Sequence, residues 1–363
     1  MVWTGLIMVL SALGFANPFA PGLAHEAKER SKKDNSAPSL KAGDPAPPLK
    51  ASSWLRGKEV RSFEPGKIYV IEFWAPWCGA CIRHLPHLAQ LHARYKDQCV
   101  TTIAFTSRDI RGVSGNTAEK AAVFLRRRGA TLPYTFAYAD DRTTTDAWLK
   151  AAGQEGFCTF VVDKKGRIAH IGSPMYLDMV LPKILDGASA KAIGDETAKI
   201  DAEYRAVCAT LDRDPETFLR ELKAFEAKYP PLADFLPATS IKLNLLLMRG
   251  NAGEAKEYAE ALLTKAIRQD NAVVLEMMYS FLRPQKRSKE LVRFAVRVAE
   301  ALVHINGGKE PHSLLRLAEA YLLGGDKAKA AEYARRAIDA AAVESPCFRQ
   351  EIEKEAQRLG AEK

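Results

Sequence analysis

Two cysteines stand two residues apart in the run Trp77-Cys78-Gly79-Ala80-Cys81. The chemistry of that spacing is thiol–disulfide exchange. The pair follows the apolar run 68–75 and opens a stretch of helical spacing that reaches about Lys96. A cysteine at a helix start lies beside unpaired backbone N–H groups and in a positive partial charge. That field favours the thiolate, which is the attacking form of sulfur. The second cysteine, one turn on, can displace a mixed disulfide formed on the first. Cys78 thus reads as the nucleophile and Cys81 as the resolving thiol of a redox-active disulfide.

Other uses of such a pair fit less well. A structural zinc site takes four N or S ligands, usually from two such pairs, and no second Cys-x-x-Cys is present. Covalent haem attachment places His directly after the second cysteine, where Ile82 stands. A static disulfide across so short a loop would restrict little chain entropy.

Glu72 lies six residues before Cys78, between apolar neighbours. A carboxyl desolvated beside Phe73 and Trp74 would hold its proton above the ordinary range and could take the proton of Cys81; the alternative is a strand Glu turned to solvent. Trp77 offers a flat apolar contact beside the nucleophile, and Trp74 reads as core. His84, His87 and His92 follow on the helix. Without a third ligand they read as exposed positions, so no metal site is expected. Cys99 reads as a small buried apolar residue. Cys208 and Cys347 lie far apart in sequence, where a bridge after export is conceivable but has no motif behind it.

The elements that must position the pair are legible from their patterns. Tyr69–Ala75 and Cys99–Thr106 are near-continuous apolar runs, as in strands buried on both faces. Thr117–Arg128 has helical spacing, Tyr134–Tyr138 reads as a short strand, and Asp146–Ala152 reads as a helix stopped by Gly153. Phe157–Asp163 and Arg167–Gly172 read as a hairpin turned at Lys164-Lys165-Gly166, and Leu177–Leu185 as a closing helix. Alternating strands and helices predict an α/β sheet covered on both faces. After Gly187 the strand signals stop, and 190–363 reads as all helix.

Around these residues the chain resembles a known family. Val70-Ile-Glu-Phe-Trp-Ala-Pro-Trp-Cys-Gly-Ala-Cys81 resembles the thioredoxin superfamily. Lys41-Ala-Gly-Asp-Pro-Ala-Pro-Pro-Leu49 resembles the opening segment of its TlpA/ResA-like branch of periplasmic thiol-disulfide oxidoreductases. Pro86 matches the proline that kinks the family's active-site helix. The resemblance spans roughly Lys41 to Gly187 and implies a thioredoxin-like α/β fold. It further implies exchange with protein thiol or disulfide substrates, a redox partner that resets the pair, and no cofactor beyond the thiols. Glu72 matches the family's buried proton-relaying acid. The implied substrate groove comprises Trp77, Gly79, Ala80 and the loop facing the disulfide. That loop normally carries a cis-proline. Here it is Gly156-Phe157-Cys158-Thr159-Phe160 with no proline. Counted from Gly156 the proline position falls on Cys158, and counted from Phe160 it falls on Phe157. A non-proline cis bond costs about 3 kcal/mol, so a trans bond is expected. The loss puts substrate handling in question and leaves the nucleophile intact.

Leu314–Ala330, continuing to Ile338, resembles a tetratricopeptide repeat, with Leu317, Ala318 and Tyr321 on one helix, Gly325-Asp326 in the turn, and Ala330 and Ala337 on the next. Leu243–Ala255 is a weaker echo turned at Gly250-Asn251, and 273–302 would supply a third pair. A plain helical bundle is the alternative. A repeat region would offer a surface for a protein ligand.

The chain has 363 residues, 47% hydrophobic and 27% charged, with a net charge of +9. Its length suits two domains, and its basic excess lacks the Arg/Lys and aromatic clustering of a nucleic-acid surface. Residues 1–24 carry no charged side chain and hold an apolar run followed by small residues at Gly14/Ala16 and Gly22/Ala24. They read as a signal peptide, with an uncleaved anchor as the alternative. The polar stretch 25–40 reads as a linker, 41–187 as the redox domain and 190–363 as the helical domain. Export would put the pair in a periplasmic or other extracytoplasmic compartment. The expected function is an exported thiol-disulfide oxidoreductase of unspecified direction. One alternative is a redox-responsive scaffold whose helices bind partners; another is a metal carrier using Cys78, Cys81 and Cys158.

Overall fold

The computed structural model describes residues 39–108, 110, 115–128, 132–154, 158–211, 213–233, 238–248, 252–282, 289–342 and 346–361. The expected signal peptide and nearly all of the linker lie outside these residues. No helix among them is long and apolar enough to cross a membrane.

Among the described residues the N-terminal half has six strands: β1 (Ser53–Arg56), β2 (Ile68–Phe73), β3 (Val100–Ser107), β4 (Thr135–Ala139), β5 (Thr159–Val162) and β6 (Ile168–Gly172). They form one sheet in the order β1-β4-β3-β2-β5-β6. β2, β3 and β4 run parallel, whereas β5 pairs antiparallel with β2, β6 with β5 and β1 with β4. β2 is central and buried along its whole length. Its Ile-Tyr-Val-Ile-Glu-Phe sequence suits that place, because β-branched and aromatic side chains fit a pleat packed on both sides. β1 had no sequence signal; it is four half-buried residues on an edge.

Helices α1 (Gly79–Tyr95), α2 (Ala118–Arg128) and α3 (Leu177–Leu185) complete this half. The mixed sheet with its helices is the thioredoxin-like fold that the resemblance implied. The β5–β6 turn forms as the sequence suggested. Asp163 Oδ1 accepts from the N–H of Lys165 at 2.8 Å and of Arg167 at 2.9 Å, and Gly166 takes a φ of +73°. The helix expected at Asp146–Ala152 forms but begins earlier, as Thr143–Thr145, and continues as a π-helix over Asp146–Lys150, with Gly153 beyond it at a φ of +65°. The wider turn of the π-helix buries Trp148 and Leu149, and the Trp148 ring packs edge-on to Phe160, with centroids 5.1 Å apart.

Nine helices are described beyond Gly187: α4 (Ala190–Thr210), α5 (Pro215–Lys228), α6 (Ala238–Met248), α7 (Ala252–Arg268), α8 (Ala272–Leu282), α9 (Lys289–Ile305), α10 (Pro311–Leu323), α11 (Lys327–Ala341) and α12 (Pro346–Arg358). α10 and α11 form the hairpin in which the sequence echoed a repeat. Asp326 caps α11 by accepting from the Lys329 N–H, and Gly325 has a φ of +87°. Ala330, Ala334 and Ala337 are fully buried, since methyl-sized side chains let two helices approach closely. The turn at Gly250-Asn251 lies outside the described residues.

Among the described residues the apolar interior falls into two clusters. The first holds the sheet, α1 and α3, and runs on through Ile193, Ile200, Val207, Phe218, Leu222, Phe225, Leu232 and Leu245. The second begins at Leu243 and ends at Ala361. So α4 and α5 pack with the sheet's core, and the later helices form a core of their own.

Candidate active site

β2 ends at Phe73, and a short turn delivers Cys78 to the start of α1. Cys78 is the N-cap of that helix, with extended backbone (φ −85°, ψ 93°). Its Sγ accepts a hydrogen bond from the Cys81 N–H at 3.1 Å. Cys78 and Cys81 are joined as a disulfide, with Cα atoms 5.3 Å apart. Cys78 is 9% exposed and Cys81 3%, so the first cysteine is the more open of the two. Trp77 is 43% exposed, and Trp74 is wholly buried, packed against Phe124 and Phe136. Gly79 and Ala80 form the first turn of α1.

Glu72 is 1% exposed in the centre of the sheet. It stands opposite Ala104 of β3 and Thr159 of β5. The Thr159 hydroxyl donates to its Oε2. Burial raises the Glu72 pKa to about 8, against which the Thr159 hydrogen bond acts. Cys158 precedes Thr159, and its carbonyl accepts from the Phe73 N–H at 3.2 Å. It is a buried, unbridged thiol whose pKa is pushed up by burial and by the Glu72 charge. Phe157 lies outside the described residues, and among those described no peptide bond is cis.

α1 is held at several points that the sequence did not signal. Tyr134 donates its hydroxyl to the Leu85 carbonyl at 3.2 Å, just before the helix proline Pro86. His87 is buried, which corrects the expectation that the three helix histidines are exposed: its Nε2 meets Asp178 Oδ2 on α3, and Arg94 reaches Asp178 Oδ1 at 2.8 Å. Burial raises the Asp178 pKa, but His87 and Arg94 outweigh it and hold the carboxyl below its ordinary value. Further along, Gln90 Nε2 donates to the Gln269 carbonyl at the end of α7, tying α1 to the helical half.

One other cysteine departs from expectation. Cys99 is exposed, because it sits one residue before β3 in a left-handed turn (φ 60°). Cys208 is an unbridged thiol on α4, and the Cys347 side chain is outside the described residues. Among the described residues no group of three or more His, Cys, Asp or Glu is arranged to hold a metal ion.

Residues 42–171 match the AhpC/TSA family. The chain is 35% identical over 152 residues to Protein FixW of Rhizobium leguminosarum, which covers 42% of this chain and 69% of that one. It is 31% identical over 156 residues to the thiol:disulfide interchange protein HelX of Rhodobacter capsulatus, covering 41% and 78%. It is 29% identical over 171 residues to the thiol-disulfide oxidoreductase ResA of Geobacillus thermodenitrificans, covering 46% and 82%.

Proposed function

The chain belongs to the thioredoxin-like AhpC/TSA family, among its thiol-disulfide oxidoreductases, and from that premise we propose that Cys78 and Cys81 exchange a disulfide with protein substrates outside the cytoplasm. In the reducing sense, the Cys78 thiolate attacks one sulfur of a substrate disulfide. The substrate S–S bond breaks, one substrate cysteine leaves as thiolate, and a mixed disulfide forms on Cys78. Glu72 takes the proton of Cys81. The Cys81 thiolate attacks Cys78 Sγ, the bond to the substrate breaks, and the second substrate thiolate departs with the electron pair. Cys78–Cys81 is left oxidised, and a separate redox partner restores it. The oxidising reaction is the same sequence reversed, and the potentials of substrate and partner set its direction.

The observation that carries this reading is the Cys81 N–H aimed at Cys78 Sγ from the first turn of α1. A donor and a helix N-terminus converging on one sulfur favour its thiolate over that of its partner. The export part of the reading rests on the uncharged, apolar opening of the chain. The test is disulfide reduction by the full-length protein, with insulin as substrate and dithiothreitol as reductant. Wild type should turn over and Cys78→Ser should not, and Cys81→Ser, reduced and then freed of dithiothreitol before insulin is added, should accumulate as a mixed disulfide. Turnover by wild type no faster than by Cys78→Ser would refute the assignment.

A further inference from the structure

In the proposed reaction Glu72 loses and regains a proton while buried in the centre of the sheet, with partners supplied by the neighbouring strands. β3 contributes the methyl group of Ala104 opposite it. β5 contributes Thr159, directly across in antiparallel register and fully buried, and Cys158 one residue earlier. Ahead of β4, the buried Tyr134 phenol feels the Glu72 charge, as the Cys158 thiol does, and burial keeps both groups neutral. Two influences on the carboxyl stand out among the described residues: burial, which keeps the proton on, and the Thr159 hydroxyl, which favours its release.

We propose that Thr159 is the positioning residue for the resolving proton transfer, holding the Glu72 carboxyl in one place by its hydroxyl hydrogen bond before and after the proton arrives. This rests on the reading of Glu72 as the acceptor of the Cys81 proton. A hydroxyl suits both halves of that task, because it has one donor and two lone pairs. It donates to the carboxylate before transfer and can accept from the carboxylic acid after it. The acid therefore need not change rotamer as the proton arrives. Valine at 159 would keep the β-branched shape of the strand and remove only the hydroxyl. The ionised form would then lose a charge-assisted hydrogen bond, enough to raise the Glu72 midpoint by about one to two pH units.

Two readouts on the full-length protein test this. One is the titration of the Glu72 side-chain carboxyl in the oxidised protein, followed by carboxyl 13C NMR and assigned with Glu72→Gln. The other uses 5,5′-dithiobis(2-nitrobenzoate) on the reduced protein. Attack by Cys78 releases one thionitrobenzoate, and attack by Cys81 on the mixed disulfide releases the second. In Thr159→Val, both the Glu72 titration and the pH midpoint of the second release should move alkaline by about one to two units, with the first release unchanged. Thr159→Ser should restore both, which a loss of strand packing would not predict. Thr159→Ala serves as a second hydroxyl-free variant should valine fail to fold. A Glu72 titration unmoved by loss of the hydroxyl overturns the inference. A titration that moves while the second release does not follow upholds the hold of Thr159 on Glu72 and overturns the reading of Glu72 as proton acceptor.

Discussion

Removing the charge of Glu72 should stabilise the fold, and by an amount that depends on pH in a defined way. In the unfolded chain this carboxyl ionises near its ordinary value of 4.5; in the fold, burial keeps its proton on until about pH 8. Between those two values the native state binds one more proton than the unfolded state. Stability therefore falls as pH rises, by about 1.4 kcal/mol per pH unit. The contribution is fully present below about pH 4.5, is lost as pH climbs through 8, and levels off above that. The total cost of ionising the buried carboxyl is on the order of 5 kcal/mol. Glu72→Gln keeps the size of the side chain and an acceptor for Thr159, but it cannot ionise. Near pH 5 the variant should match the wild type within about 1 kcal/mol. By pH 9 it should be the more stable by roughly 3–5 kcal/mol. Urea unfolding of the oxidised proteins at one-unit pH steps, followed by tryptophan fluorescence, measures this. All five tryptophans precede residue 149, so the signal reports the redox half of the chain. Stabilities of the two proteins that run parallel from pH 5 to 9 would mean that Glu72 is not a proton-holding buried acid. The same cost is what would make the carboxylate useful, since an anion that is expensive to bury takes a proton readily.

In the reduced protein, iodoacetamide at neutral pH should label Cys78 before Cys81, read by peptide mass mapping; faster labelling of Cys81 would reverse the assignment of nucleophile. In the same experiment Cys99 should label and Cys158 should not, because the first is exposed and the second is buried with a raised pKa; equal labelling would refute the burial of Cys158. Asp178→Ala should destabilise the redox half by about 1–3 kcal/mol, since it removes the hydrogen bond that ties the buried His87 to α3 together with the Arg94 contact; an unfolding midpoint within error of wild type would show that the cluster does not hold α1. A chain ending at residue 233 should resist urea better than one ending at 187, because α4 and α5 bury Ile193, Ile200, Phe218 and Leu222 in the first core; equal midpoints would place the boundary at 187.

What the sequence reveals about this site is what lies close together along the chain. Cys78, Cys81 and Trp77 form one short run, and Glu72 sits on the same strand-to-helix passage, so local spacing and burial pattern bring their chemistry to notice. The same holds for the β5–β6 turn, where Asp163 and Gly166 satisfy the backbone within four residues. What the sequence conceals is what the fold assembles from distant segments. Thr159 is 87 residues from Glu72, and Asp178 is 91 residues from His87. Thr159 reads as an ordinary strand residue and Asp178 as a polar residue on a short amphipathic helix. Only the antiparallel pairing of β5 on β2 turns a strand threonine into the hydrogen-bond partner of a buried acid. The missed elements follow the same physics. β1 is too short and too half-buried to show an alternating pattern, and it exists because β4 offers it an edge. Cys99 was expected inside because it adjoins an apolar run, but the chain must reverse from helix to strand at that residue, and the reversal turns it outward. The boundary after Gly187 has the same origin. The change from strand to helix periodicity is a local signal, whereas membership of a core depends on packing: α4 meets β6, α5 packs on α4, and the buried side chains of both continue the first core.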